Sequence, residues 1–319
     1  MKPHHFQNGP ELQLGDGFTN PVPAIEAARA ALSRRQFIGR TVLAGAGLVV
    51  GSAGCSQLKH QQSAANRISF VTANLVGQVS GYRFELAHWG DQHKKTVAAT
   101  DAAAWRSICK EIYATGFRAI EIWEAHAAPE AMNRERGATW KAIMDDQGLK
   151  AIGYGGILSR KTLEICQWLD IPRFNGWIGD STPEQATIMC REMGVHFNLE
   201  NHPQKSASEL LKIIAGGNEW LGICIDMGWL GTQGASGPEI IRACGPLVRH
   251  THVKDIKAVG AHDTCLLGDG VAQVAACIAT LKELGYTGWY SWEDEPEDRN
   301  PFDSAVRNRR WIEKQLAAG

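Results

Sequence analysis

Four stretches decide the fold: Val195-His196-Phe197-Asn198-Leu199-Glu200, Gly222-Ile223-Cys224-Ile225-Asp226, Val248-Arg249-His250-Thr251-His252-Val253 and Gly288-Trp289-Tyr290-Ser291-Trp292-Glu293. Each is a short run rich in β-branched and aromatic residues, bounded by polar or glycine-containing segments, which is the pattern of a strand rather than a helix. Working back towards the N-terminus, residues 68–73, 119–123, 149–154 and 173–177 supply four more runs of the same kind. Between them lie amphipathic stretches. Residues 102–115 place Ala103, Ile108 and Ile112 on one stripe, and Ser181-Thr182-Pro183-Glu184 opens another helix with a capping residue and an early proline. Residues 206–215, 271–284 and 300–316 are helical by the same criterion. Strand and helix alternate eight times over about 250 residues, the arithmetic of a single (β/α)8 TIM barrel. An open doubly wound sheet is the competing architecture, and eight regular units favour closure. Either way, chemistry belongs at the carboxyl ends of the strands.

The last four runs end on Glu200, Asp226, His252 and Glu293. Taken singly, an acidic residue at a strand end is most simply the cap of the next helix. Four such residues in register on successive strands are better read as one divalent-metal site. Three carboxylates and one imidazole suit Mn²⁺ first, then Mg²⁺, Co²⁺ or Zn²⁺.

The whole chain has 319 residues, 44% hydrophobic and 21% charged, with a formal charge of −1, so it can bury a sizeable core and carries no general field for nucleic acid. Eight cysteines without a Cys-x-x-Cys pair are too few for a disulfide scaffold. Residues 1–66 read as an address and linker, and residues 67–319 as the barrel. Ser33-Arg34-Arg35-Gln36-Phe37, followed by the short apolar run 41–54, resembles a twin-arginine export signal, which implies a periplasmic or otherwise exported protein. Ser52-Ala53-Gly54-Cys55 is a candidate lipoprotein box, with a lipid anchor on Cys55. The glycines of residues 45–51 follow no strand and enclose no βαβ unit, so they are not a dinucleotide fingerprint.

Glu200-Asn201-His202-Pro203, Ile225-Asp226-Met227-Gly228-Trp229, His250-Thr251-His252-Val253-Lys254-Asp255, Gly268-Asp269-Gly270-Val271 and Ser291-Trp292-Glu293 resemble successive motifs of the sugar phosphate isomerase/epimerase superfamily. The resemblance covers residues 68–316 and implies a xylose-isomerase-like barrel with Glu200, Asp226, His252 and Glu293 as metal ligands. His250 is the rival imidazole. Strand alternation, read as admitting only one of the pair to the barrel interior, leaves the motif to select His252, and Glu295 competes similarly with Glu293. Trp229 stands where many relatives carry a histidine, and residues 262–267 depart from the endonuclease pattern. With the neutral charge, both departures disfavour an apurinic endonuclease.

The chemistry the resemblance implies is proton abstraction next to a carbonyl, through an enediolate, giving isomerisation or epimerisation. Loss of a β-oxygen substituent from the same intermediate makes a lyase, hydratase or 3-keto-glycoside deglycosidase the alternative. Glu200 and Glu293 are the acid and base, with His126, just past the second strand, a further candidate that equally reads as a hydroxyl-binding histidine. His202 and Lys205 after the fifth strand, Lys254 after the seventh and His262 in the long following loop are candidate substrate contacts. Lys254 and Asp255 also read as an ion pair orienting His252.

Export and the lack of a phosphate-binding motif favour an unphosphorylated sugar, keto-sugar or glycoside. Of eleven tryptophans, Trp123, Trp177, Trp229 and Trp292 fall at strand ends, and Trp89 lies after the first strand, where aromatic faces would meet the C–H faces of a sugar. Trp105, Trp140, Trp168 and Trp311 read as packing residues. A non-catalytic exported sugar-binding protein is a further alternative, and a homo-oligomer is compatible with every reading.

Overall fold

The computed structural model describes residues 67–318; the arginine pair, Cys55 and the linker lie outside the described residues. Eight parallel strands close into a barrel in sequence order, each paired with its neighbours and the last with the first. They are β1 (Ile68–Val71), β2 (Ala119–Trp123), β3 (Lys150–Ile157), β4 (Arg173–Trp177), β5 (His196–Glu200), β6 (Leu221–Asp226), β7 (Val248–Val253) and β8 (Tyr290–Trp292). Among the described residues, ten α-helices accompany them. They are α1 (Trp89–Ala99), α2 (Ala102–Ala114), α3 (Arg134–Gln147), α4 (Arg160–Trp168), α5 (Pro183–Met193), α6 (Ala207–Ile213), α7 (Met227–Thr232), α8 (Gly237–Cys244), α9 (Val274–Glu283) and α10 (Phe302–Ala317).

Local chemistry explains where the helices begin. Thr182 caps α5 and Gln185 returns the bond to the Thr182 backbone, with Pro183 in the first turn, as the sequence indicates. Ser159 and Thr162 close the same kind of box on α4. Asp101, Asn133 and Ser206 cap α2, α3 and α6.

Strand alternation sorts the side chains into two populations. Outward-facing Phe70, Trp292, Phe174, Phe197, Ile120 and Ile122 pack under the helices as the hydrophobic core. Phe70 meets Phe117 and Trp292 edge-on, with ring centroids 5.5 and 5.3 Å away. Trp292 is therefore a core residue rather than part of the mouth: its parity on β8 is the opposite of Ser291 and Glu293. Most of the inward-facing residues at mid-barrel are polar. Ser69, Glu121, Asn175, Asn198, His250 and Ser291 fill the middle of the barrel, all buried, where branched aliphatic layers are the usual filling.

Glycine supplies the room at the mouth. Gly176 on β4 has φ +144°, and a Cβ there would overlap the Gly156 carbonyl oxygen of β3. Gly153, deeper in β3, leaves space for Asn175 and Glu121, whose nearest atoms would be 2.8 and 3.1 Å from an added Cβ. Gly176→Ala is expected to destabilise the barrel by about 1–3 kcal/mol through this overpacking. A urea midpoint equal to the parent's, with unchanged slope, would contradict the expectation.

Candidate metal centre and substrate cavity

Glu200 ends β5, Asp226 ends β6, His252 is one residue from the end of β7 and Glu293 follows β8. The register pairs Asp226 with His252, while Glu200 is level with Cys224, two residues before Asp226 on β6. One donor atom from each of the four lies within 4.8 Å of the others, and all four residues are buried. His252 Nδ1 is 2.8 Å from Glu200 Oε1 and 3.3 Å from Glu293 Oε2.

Asp226 serves two purposes. Its Oδ1 accepts the Trp229 backbone N–H at 3.0 Å, capping α7, so the capping role expected of a lone acidic residue is real. Its Oδ2 faces the cluster, buried and without a hydrogen-bond partner. Asn201 holds the Asp226 backbone from both sides, its Oδ1 accepting from the Asp226 N–H at 2.9 Å and its Nδ2 donating to the Asp226 carbonyl at 3.0 Å. A buried carboxylate oxygen without a hydrogen-bond partner, among two further carboxylates and an imidazole nitrogen, makes a donor set that could hold a divalent cation.

The electrostatics agree. Burial pushes the Asp226 carboxyl well above its ordinary range, against the pull of Lys254, and Glu293 and Glu200 push it further. For Glu293 burial acts upward too, but His252 and Lys254 outweigh it and hold the group below its usual range. Burial would lower His252, yet Cys224, Glu293, Glu200 and Glu121 together raise it well above normal. Lys254 Nζ stands 3.6 Å from Asp226 Oδ2 and 3.4 Å from Glu293 Oε2, and pairs with Glu295. Glu295 is itself pushed up to about 7, by burial first, against the opposing pull of Lys254. Carboxylates this close cannot all ionise without a cation among them, and protons on the histidine and lysine are the local substitute.

The cluster opens into a cavity of about 240 Å³ bounded by Trp89, Trp123, Trp177, His202 and Glu295, with Gly155, Gly156 and Gly176 on the β3–β4 side. Among the described residues, no lysine or arginine lines it. Trp89 and Trp123 lie with ring centroids 5.2 Å apart, and Trp177 is 38% exposed. Two bonds from the segment after β1 to Glu297 beyond β8, from the backbone N–H groups of Phe84 and Leu86, strap the loop that carries Trp89 across the mouth.

A family model for the xylose isomerase-like TIM barrel matches residues 109–315, which hold seven of the eight strands and all four donors. The chain belongs to the xylose isomerase-like TIM barrel family. Inosose dehydratase 1 of Bacillus cereus is 25% identical over 205 residues, 54% of this chain and 67% of that protein. An L-ribulose-5-phosphate 3-epimerase of Salmonella paratyphi C is 36% identical over 70 residues, 21% of this chain and 24% of the epimerase. Among solved structures, a xylose isomerase-like TIM barrel protein from Mycobacterium smegmatis in complex with magnesium superposes with a TM-score of 0.57 at 15% identity. That superposition covers 70% of this chain and 91% of the other and shows the shared fold.

Within this xylose isomerase-like barrel, several expectations need correction. His250 and His252 both point inward, because residues two apart on a strand share a face; they differ in depth, not in direction. Lys254 and Asp255 do not pair with each other. Lys254 joins the acidic cluster, while Asp255 accepts backbone N–H groups from Ile256, Gly268, Gly270 and Ala272 and so shapes the Gly268-Asp269-Gly270 turn. Lys205 is exposed and outside the cavity lining, with its backbone bound to Glu209. Trp229 is not in the main cavity. It lies between His202 and His262, tilted to both rings at centroid distances of 5.0 and 4.7 Å, and lines an adjoining recess with Lys254 and Glu295.

His126 does not reach the site. A 3₁₀ turn after β2 swings it behind the barrel wall, where Nδ1 meets Thr72 Oγ1 at 3.1 Å and the ring lies near Trp105. Glu121, by contrast, is central and is not among the sequence candidates. Its only signal is an acidic residue breaking the apolar run Ala119-Ile120-Glu121-Ile122-Trp123 on the inward parity.

Burial lowers the His126 pKa to about 3. In the unfolded chain the imidazole takes a proton near pH 6.5, while in the folded protein it stays neutral down to about 3. The unfolded state therefore binds more protons in this window, and stability falls as pH drops through it. His126→Asn is expected to flatten the stability–pH curve between about pH 6 and 4 by up to about 1.4 kcal/mol per pH unit. Parallel curves for parent and variant in urea unfolding would refute this.

Proposed function

We propose that the protein is a divalent-metal-dependent enzyme that isomerises or epimerises an unphosphorylated sugar or keto-sugar by removing a proton next to a carbonyl. The observation that carries the reading is the convergence of Glu200, Asp226, His252 and Glu293, with the unpartnered Asp226 Oδ2 among them, at the floor of a cavity walled by tryptophans. Glu200, Asp226, His252 and Glu293 would hold the ion, with Mn²⁺ the first expectation and Mg²⁺, Co²⁺ or Zn²⁺ the others, and it would supply Lewis acidity to polarise the carbonyl and acidify the neighbouring C–H.

The chain's own residues do the rest. Glu200 and Glu293 edge the cavity from β5 and the end of β8, so one carboxylate takes the proton and the other returns one. Return to the opposite face of the same carbon inverts it; return to the neighbouring carbon isomerises. Trp89, Trp123 and Trp177 offer apolar faces to the C–H side of the substrate and exclude water. A lining without lysine or arginine supports an uncharged polyol over a phosphate ester.

A second reading, elimination of water or of a glycosidic oxygen from the same enediolate, is favoured by two observations. The broader of the two curated relatives described above is a protein named an inosose dehydratase. His202 lines the cavity beside Glu200, where an acid for a departing oxygen would stand.

In D₂O with added Mn²⁺, Mg²⁺, Co²⁺ or Zn²⁺, the parent is expected to exchange one substrate C–H, read by NMR against a panel of sugars, 3-keto-sugars and glycosides. Glu200→Gln and Glu293→Gln are each expected to lower the rate by about 10²–10⁴-fold. A folded parent that binds no divalent ion and exchanges no proton sinks the proposal. A sugar-binding protein would instead bind ligand equally well with both glutamates changed.

Export completes the proposal, supported by Ser33-Arg34-Arg35 and the apolar run that follows. Changing Arg34 and Arg35 to lysine is expected to hold the protein in the cytoplasm on cell fractionation; unchanged distribution would rule out this route.

A further inference from the structure

A second cavity, of about 420 Å³, lies at the opposite end of the barrel from the acidic cluster. Its lining comes from the starts of strands: Arg173 is the first residue of β4, His196 the first of β5 and Arg249 the second of β7, while Glu219 lies two residues before β6. None of the four metal donors takes part. Arg173 shares the inward face of β4 with Asn175, so its side chain enters the base of the barrel. Among the described residues, this half-buried guanidinium makes no ion pair and no hydrogen bond. Arg249 is tied to backbone carbonyls, Nη1 donating to Glu219 at 2.6 Å and Nη2 to Asn218 at 2.7 Å. His196 is fixed by stacking on Trp220, with centroids 4.7 Å apart and Nδ1 3.0 Å from the Glu219 carbonyl oxygen. Two guanidinium charges therefore share the cavity with one carboxylate, that of the exposed Glu219.

The arginines suit an anion, and the acceptors narrow its chemistry. Asn198 is a fully buried part of the lining. Asn175 donates its Nδ2 to Glu121, so its Oδ1 is left to accept from Asn198 Nδ2, 2.8 Å away. That fixes the Asn198 amide, and its Oδ1 has no hydrogen-bond partner. A Cβ built on Gly222 would lie 2.7 Å from this oxygen and 2.8 Å from Arg249 Cδ, so the oxygen stands beside the Arg249 stem. An unmet acceptor and a carboxylate, next to two arginines, require a ligand that is negative and yet donates. A fully ionised anion would leave Asn198 unmet and would be repelled by Glu219. We propose that this basal cavity binds a small oxyanion that carries its own hydroxyl group, the chemistry shared by hydrogen phosphate and hydroxy acids. Arg173 is the main contact for its charge, and Asn198 and Glu219 accept from its hydroxyl. The site is independent of the metal-dependent reading, since it uses other residues at the other end of the barrel.

Calorimetry of the full chain, free of divalent ions, against sodium phosphate, sodium gluconate and sodium sulfate at matched ionic strength tests the site. Phosphate or gluconate is expected to bind with a dissociation constant at or below about 1 mM, and the tighter of the two identifies the source of the hydroxyl. Arg173→Gln is expected to weaken that binding by about 10–100-fold, through loss of a charge-assisted partner. Sulfate, which has no hydroxyl at neutral pH, is expected to bind about tenfold or more weakly than the better of the two, and Glu219→Gln to narrow that gap. The proposal fails if neither phosphate nor gluconate binds. It fails too if Arg173→Gln changes the affinity by less than about twofold, the result expected of gluconate seated at the tryptophan-walled mouth instead. Sulfate binding as tightly as the other two overturns the requirement for a hydroxyl. Should Arg173→Gln not fold, the comparison with sulfate on the parent and on Glu219→Gln decides alone.

Discussion

A charge buried at the centre of a barrel has to be answered on every side, and Glu121 is that charge. An isolated carboxylate in a medium of low dielectric would protonate rather than remain ionised. Here burial pushes it upward, but His250 and His252, as charges and as hydrogen-bond donors, hold it well below its normal range. The consequences spread along the interior. Asn175, Asn198, Ser291 and Ser69 extend the side-chain bonds outward from Glu121 and His250, with Ser69 Oγ 2.6 Å from Ser291 Oγ. This polar network takes the place of the aliphatic filling usual in these barrels, though His250 Nδ1 and Asn198 Oδ1 stay buried without a hydrogen-bond partner. Gly153 then follows as a steric requirement, since a side chain there would occupy the space of Glu121 and Asn175.

Above that layer the balance of charge reverses. Glu200, Asp226, Glu293 and Glu295 crowd the mouth, and Lys254 and His252 are the cations that contact them. This arrangement is costly for the folded state alone, because like charges in a poorly solvated pocket repel. The cost supports the proposed functional role of the layer, since the helices pack on the opposite face of the same strands and need none of it. One strand thus carries two unrelated jobs at alternate residues: at β8, Ser291 and Glu293 serve the interior, while Tyr290 and Trp292 hold the outer core.

Most of the architecture is legible in the sequence because period and length separate strands from helices at each of the eight runs. The four donors are legible because they recur at the same place on successive strands. Two of the failed expectations share a cause: sequence distance from a strand end does not fix direction once regular structure stops. His126 lies just past β2, and a single 3₁₀ turn carries it behind the wall; Lys205, in the loop after β5, ends in solvent. The expectation for His250 fails within regular structure, where residues two apart must share a face. Glu121 is hidden because its partners come from β4 and β7, and no local pattern records a contact made 129 residues away.

The tryptophans stand where the two layers would meet the proposed substrate. Trp123 has the inward parity of Glu121 on the same strand, so the carboxylate that holds His252 and the ring that walls the cavity are set by one register. Trp89 reaches Trp123 only because the segment after β1 is tied to Glu297 beyond β8, and Trp177 reaches the mouth because Gly176 lets β4 approach β3. The apolar wall is therefore built from three elements that the barrel's closure brings together, opposite a rim of carboxylates. A substrate that satisfies both sides has one face of C–H groups and another of oxygens. Rings and chains of sugars have that division, and a lining without lysine or arginine supports the uncharged polyol proposed above.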